Sequence, residues 1–299
     1  LRDVPVCGLN APAARRRTEG HVMKHALRLI ALAATALVLA SCAGSESNRL
    51  AYVERPVEQL YNEGFEQLER RNFDRAAAFF DEVERQHPFS EWARRSILMG
   101  AYAHYRANRY EQTIASAQRF IALHPGSSSA PYAYYLIAIS HYERIMDVGR
   151  DQSTTQTALD ALQQVVRRYP ESPYARDARV KIDMTRDHLA GREMSVGRWY
   201  LRNGFYLAAA NRFQNVIRDY QTTNHTPEAL HRLVEVYVAL GVDDEARMVA
   251  AVLGHNFPGS AWYGDSYRLM TSRGIDMEGM ERVDEDPSLL RRALGRIFG

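Results

Sequence analysis

From Pro56 onward, apolar residues recur at three- and four-residue spacings in helix-length runs, and short polar breaks separate the runs. No window alternates apolar and polar residues at period two, so strands are not predicted and the body is expected to be all-α. The breaks are alike. His87-Pro88-Phe89-Ser90, His124-Pro125-Gly126-Ser127, Tyr169-Pro170-Glu171-Ser172 and Phe257-Pro258-Gly259-Ser260 each place an aromatic or histidine before proline and a serine two residues after it. Proline cannot continue a helix and turns the preceding residue away from helical geometry. Serine caps the next helix by accepting from its free N–H groups. Each break should therefore end one helix and begin the next within a few residues. His87 and His124 then stand at helix C-termini, where a cation is favourable.

The prolines fall at 88, 125, 170 and 258, at intervals of 37, 45 and twice 44. A self-similar period of this size predicts a solenoid, with one boundary lacking its proline. Ahead of each break the residues align with the tetratricopeptide pattern of small residues where paired helices touch. The first unit has Gly64, Phe73, Ala76, Phe80 and Pro88; the second has Ala101, Tyr110, Ala117 and Pro125; the third has Ala138, Ala158 and Pro170. The fourth has Gly197, Tyr206, Ala209 and Phe213, with Gln221 at the proline position, and the fifth has Gly241 between its helices, Ala246, Leu253 and Pro258. A tetratricopeptide-like helical-hairpin solenoid of about five repeats over residues 56–273 follows, each pair burying a face that it could not bury alone. Two features depart from a generic array. The third repeat carries Asp147 to Ser153 between its helices, and Tyr174 to Arg202 reads as one long helix.

The N-terminal pattern is of another kind. Met23 to Arg28 is short and basic, and Leu29 to Ala40 is an uncharged run of twelve residues, too short to span a bilayer. Together they read as a secretory signal over residues 23–41, with Met23 the expected start and residues 1–22, Cys7 among them, an upstream extension without a role. Leu39-Ala40-Ser41-Cys42 resembles the lipobox of bacterial lipoproteins, which makes Cys42 the expected lipidated first residue and residues 42–55 a flexible linker. Ala43 follows where aspartate would resemble an inner-membrane retention signal, so the expected destination is the periplasmic face of the outer membrane.

Composition narrows the class. The 299 residues are 46% hydrophobic and 25% charged, which excludes collagen, bulk disorder and a polytopic membrane protein. Of 38 basic residues 36 are arginine; residues 1–41 carry a net +4 and the rest about −2, so no nucleic-acid-binding body is indicated. Cys7 and Cys42 are the only cysteines, which leaves no disulfide or cysteine-based zinc site beyond position 42. The chain has no phosphate-binding glycine loop, G-x-S-x-G or H-E-x-x-H, and Asp183, Asp187 and His188 on one helix are poorly spaced for a metal. An enzyme is not expected, and no cofactor.

Tyrosine is abundant, with 17 copies, and Tyr102, Tyr105, Tyr110, Tyr132, Tyr134, Tyr135 and Tyr142 crowd the second and third repeats. Such side chains suit a peptide-binding groove, and they suit packing between repeats equally. Tyr134 and Tyr135 are adjacent on a helix, so at least one should face away from the core. In the 274–299 tail, an acidic linker precedes Asp286-Pro287-Ser288, and residues 289, 290, 293, 294, 297 and 298 form an apolar stripe opposite Arg291, Arg292 and Arg296. Docking on the solenoid, partner binding and lying on a membrane surface are all open to this amphipathic helix.

The lipobox, the run Leu60-Tyr61-Asn62-Glu63-Gly64, the four breaks and Tyr132-Ala133-Tyr134-Tyr135-Leu136 combine with the Asp147–Gln152 insertion and the segment Trp199-Tyr200-Leu201-Arg202-Asn203-Gly204-Phe205. In this combination, over about residues 39 to 272, the chain resembles the BamD family, the YfiO or ComL type of outer-membrane lipoprotein of the β-barrel assembly machinery. The resemblance implies a periplasmic scaffold whose C-terminal repeats bind the POTRA region of BamA and whose N-terminal repeats receive the C-terminal segments of unfolded outer-membrane proteins. Other Bam lipoproteins are further implied partners. Candidate contact residues are Tyr61, Tyr102, Tyr105, Tyr134, Tyr135, Tyr142, Trp199, Arg202 and Asn203. The family commonly has an arginine where this chain has Asn203; Arg202 is adjacent but points about 100° away on a helix. A repeat lipoprotein that coordinates envelope constriction, or a secretin pilotin, is the alternative reading.

Overall fold

The computed structural model describes residue 50, residues 53–275 and residue 295. The signal segment, Cys42, most of the linker and most of the C-terminal tail lie outside the described residues. Among the described residues there are eleven α-helices and no strand: α1 (Val57–Glu69), α2 (Phe73–Gln86), α3 (Glu91–Arg106), α4 (Tyr110–Leu123), α5 (Ala130–Tyr142), α6 (Ser153–Arg168), α7 (Pro173–Arg202), α8 (Tyr206–Asp219), α9 (Thr226–Leu240), α10 (Asp243–Asn256) and α11 (Ala261–Ser272). They form five antiparallel pairs and one further helix, the tetratricopeptide-like solenoid expected of the sequence.

Each helix packs on its neighbours in the chain. The odd-numbered helices also touch one another in series, α1 on α3, α3 on α5, α5 on α7, α7 on α9 and α9 on α11, whereas the even-numbered ones touch only the helices that flank them in sequence. The odd helices thus make one continuous layer, and side chains between adjacent odd helices are shared by two repeats.

Two turn types repeat along the stack. Within a pair, the odd helix ends with a left-handed residue, at Arg71, Asn108, Gly204 and Gly241 (φ 62°, 59°, 76° and 73°). The next N–H closes back on the carbonyl five residues earlier: Asn72 to Gln67, Arg109 to His104, Phe205 to Tyr200 and Val242 to Tyr237, at 2.9–3.0 Å. This is the Schellman closure, which satisfies carbonyls that the helix end leaves open. The end of α11 has it too, with Gly274 at φ 69° and the Ile275 N–H 3.0 Å from the Met270 carbonyl, so α11 ends as α1, α3, α7 and α9 do.

Between pairs, the residue before proline caps the even helix and a hydrogen bond three residues on closes the turn. Ser90, Ser127, Ser172 and Ser260 donate their N–H groups to His87, His124, Tyr169 and Phe257. Tyr220 and Thr223 make the same turn at 3.0 Å without a proline, and the Thr223 and Thr226 hydroxyls also donate to the Tyr220 carbonyl, which explains how Gln221 is tolerated. The hydroxyls of Ser90, Ser172 and Ser260 cap the following helix as expected. Ser127 does not: its hydroxyl accepts from the Ser129 N–H, and α5 starts three residues later than the serine. His87 and His124 stand at helix C-termini as expected, and each has a further partner. The His87 Nε2 lies 2.9 Å from the Arg55 carbonyl, tying the entering chain to α2, and the His124 ring lies against Phe120.

α7 is one helix of 30 residues, about 45 Å long. Ala178, Ile182 and Leu189 join the core of α5 and α6, whereas Ala190 and Met194 join that of α8 and α9. The α5–α6 loop crosses its middle, where the Arg192 guanidinium donates to the Gly149 carbonyl at 3.3 Å.

Candidate functional site

Hydroxyls from one odd helix reach the next along the odd layer. Tyr105 on α3 donates to Glu143 just past α5 at 3.2 Å, Tyr135 on α5 donates to Asp177 on α7 at 2.6 Å, and the Tyr142 hydroxyl is 3.6 Å from the Met184 sulfur on α7. Rings fill the spaces between them: Tyr132 and Tyr135 each lie against Tyr174, at 5.3 and 5.2 Å between centroids, and Tyr105 lies 6.0 Å from Tyr110. Lys181 stands over the Tyr142 ring, and Arg106 donates to the Tyr102 hydroxyl while covering Phe73. All these tyrosines are half-buried, so they serve inter-repeat packing with one edge and form the surface of the odd layer with the other.

Tyr134 leaves this ladder, but it and Tyr135 both pack, partly buried, against the same core of α5, α6 and α7, so neither faces away from the core as the adjacency had suggested. The Tyr134 ring packs on Tyr169 at the end of α6 beneath the Arg168 guanidinium. Tyr61 is wedged between Phe80 and Trp92 in the first repeat, at 5.5 and 4.8 Å. Tyr132, Tyr174 and Asp177 belong to the ladder although the residue types alone did not select them as contact residues. The signal was their i, i+3 spacing: Tyr132 with Tyr135, and Tyr174 with Asp177.

Burial, followed by the Glu143 carboxylate, pushes Tyr105 up to about 12. Tyr132 is pushed up by burial and by the neighbouring Tyr102, Tyr174 and Tyr105, and Tyr135 by burial and its bond to Asp177. Raised tyrosine values mean that the neutral form fits the fold better. The stabilisation is whole below the unfolded value near pH 10 and is lost as pH rises through 10 towards 12. Urea denaturation should therefore show stability falling over that window, and Tyr105→Phe together with Tyr135→Phe should flatten the fall. An unchanged alkaline slope in the double variant would refute this account.

A second surface lies where α7 turns into α8. Trp199 and Phe205 stack at 6.2 Å with 22° between their planes, and Tyr200 meets both edge-on. Trp199, Phe205 and Leu207 are 51%, 54% and 71% exposed. The Asn203 side chain donates to the Trp199 carbonyl at 2.7 Å and closes the helix end. Arg202 is exposed and makes no ion pair among the described residues, whereas Arg198, one turn back, is held by both oxygens of Glu228 at 3.0 Å. The ladder and this aromatic edge are separate surfaces, so the candidate contact residues do not converge on one site. Phe205 and Leu207 were not selected from the sequence, although two apolar residues just after the turn glycine Gly204 were a legible sign. No group of three His, Cys, Asp or Glu among the described residues could hold a metal ion.

A family model described as YfiO, outer membrane lipoprotein, matches residues 53–253. The chain is 56% identical over 247 residues to the outer membrane protein assembly factor BamD of Caulobacter vibrioides, covering 82% of this chain and 81% of that protein. It is 43% identical over 248 residues to the protein of the same name from Rickettsia prowazekii, covering 83% and 98%. A solved tetratricopeptide protein of Thermus thermophilus aligns over 71% of this chain and 99% of its own, at 16% identity and a TM-score of 0.32.

Proposed function

Because the chain belongs to the YfiO family of outer membrane lipoproteins, we propose that it is an assembly factor for outer-membrane proteins that works by binding and not by catalysis. In this reading Cys42 carries the lipid that holds the solenoid at the periplasmic face of the outer membrane. The aromatic edge of Trp199, Phe205 and Leu207, with Arg202 beside it, docks the POTRA region of BamA. The tyrosine ladder of the second and third repeats receives C-terminal segments of unfolded outer-membrane proteins, and Tyr61 supports the first repeat from within.

The observation that carries this reading is the family match over residues 53–253, which includes both the insertion and the long helix. The chemistry of the two surfaces agrees with it. Aromatic side chains half in the core and half in solvent offer large contact area at little entropic cost. The hydroxyls of Tyr102, Tyr105, Tyr135 and Tyr142 are held within the chain, so an incoming segment would meet pre-ordered ring edges there and not free rotors.

The test is a detergent pull-down of the full chain tagged at its C-terminus, with mass spectrometry of its partners and of its own first peptide. A POTRA-containing barrel protein together with a lipid-modified Cys42 is the expected result. Recovery of a secretin or of cell-wall synthases in its place would overturn the reading in favour of a pilotin or a constriction lipoprotein.

A further inference from the structure

The middle of α7 forms the floor of a groove between two loops. On one side lies a cleft of about 370 Å³ whose lining includes Tyr142, Ile145, Met146 and Met184; on the other lies one of about 360 Å³ lined by Asp183, Asp187, Met184 and Thr222 to Asn224. Met184 is common to both and is 56% exposed, and Met146 is 58% exposed. Two turns further on, the loops converge over Gly191, where an added Cβ would stand 3.3 Å from the His225 ring and 4.0 Å from the Val148 side chain. The groove thus sets two exposed methionines, with Glu143 and His188 beside them, on one side of α7 and two carboxylates on the other. Asp183 makes no ion pair among the described residues, and Asp187 faces only His225, at 3.8 Å.

An occupant that matches both halves must carry apolar side chains next to cations. Methionine, flexible and polarisable, accommodates varied apolar side chains. Two carboxylates one helical turn apart favour arginine, which can bind a carboxylate with two parallel hydrogen bonds.

We propose that the occupant is this chain's own C-terminal segment, residues 286–299. Leu289, Leu290, Leu294, Ile297 and Phe298 supply apolar side chains, and Arg291, Arg292 and Arg296 supply the cations. The linker before it, residues 276–285, is acidic at Asp276, Glu278, Glu281, Asp284 and Glu285, so repulsion from Asp183 and Asp187 selects the basic segment over the linker. Reach is sufficient. In the odd layer only α9 stands between α7 and α11, so the end of α11 is about two interhelix spacings, roughly 20 Å, from α7, and the ten linker residues span up to about 33 Å. The segment covers the groove while the protein is alone and leaves it when a partner with the same chemistry competes, so the groove is self-shielded.

The test places a photo-cross-linking amino acid at Met184 of the purified full chain, with a second one at exposed Leu123 on α4 as control. A cross-link from position 184 to a peptide within residues 286–299, absent from position 123, is expected. Asp183→Lys with Asp187→Lys should reduce it about tenfold, and Arg291→Glu with Arg292→Glu should restore it. Failure of position 184 to cross-link to the tail, a yield indifferent to charge reversal, or capture of a co-purified protein in place of the tail each overturns the proposal.

Discussion

Gly197→Ala is expected to destabilise the wild-type chain and to stabilise a chain that already carries Phe213→Ala. A Cβ at position 197 would lie 2.6 Å from Phe213 Cε1, and Phe213 is fully buried, so its ring has nowhere to move. Overpacking of that kind costs about 1–3 kcal/mol, more than the roughly 0.5–1 kcal/mol that alanine gains over glycine within a helix. Phe213→Ala alone should cost about 3–5 kcal/mol through lost burial and the cavity left behind. With the ring gone, the added methyl fills part of that cavity, so the coupling between the two changes is large and compensating. The protein already contains this solution. The first repeat pairs Gly64 with Phe80 sixteen residues on, as the fourth pairs Gly197 with Phe213, whereas the second pairs Ala101 with Ala117, both fully buried. Urea denaturation of the four proteins decides the matter: a Gly197→Ala effect equal in both backgrounds would show that the two positions are not in direct steric competition.

That pairing also shows how much of the fold the sequence displayed. The small residues and the proline breaks repeat in the chain itself, because each repeat must solve the same contact between two helices and the same change of direction. Less legible was the left-handed closure at Arg71 and Asn108, since neither is glycine and only the backbone geometry reveals that they do the work of Gly204 and Gly241. The turn at Tyr220 was hidden for the opposite reason: threonine hydroxyls and a backbone bond replace the proline that marked its equivalents.

Contact surfaces were read less completely, and the reason is partnership across repeats. Tyr135 was visible as a half-exposed aromatic on α5, but its hydrogen bond goes to Asp177, 42 residues away, and no local pattern announces a contact at one repeat length. The same distance separates Tyr142 from Met184. The aromatic edge was half seen: Trp199 stood out by type, whereas Phe205 became its stacking partner only because the turn at Gly204 folds α8 back.

That stacked pair carries the largest expected effect on binding. Trp199→Ala and Phe205→Ala should each weaken association of the lipidated full chain with a soluble POTRA fragment of the barrel partner by about 30-fold or more, the loss typical of an aromatic anchor near the centre of an interface. Folding should change little, because about half of each side chain is already in solvent and neither belongs to the fully buried core. Leu123→Ala, equally exposed on α4, serves as the control and should leave the affinity unchanged. Arg202 separates the charge contribution from the aromatic one. If it supplies the cation that Asn203 lacks, Arg202→Glu should slow association at low salt and lose that effect as salt rises, whereas the two aromatic variants should act mainly on dissociation at any ionic strength. Asn203→Arg gives up the side-chain bond to the Trp199 carbonyl but adds a second cation, so it should quicken association while Arg202 is present and rescue Arg202→Glu in part. Undiminished affinity in both aromatic variants would move the POTRA contact to another part of the solenoid; an Arg202→Glu effect that ignores salt would remove the charge from the account and leave the stacked rings as the anchor.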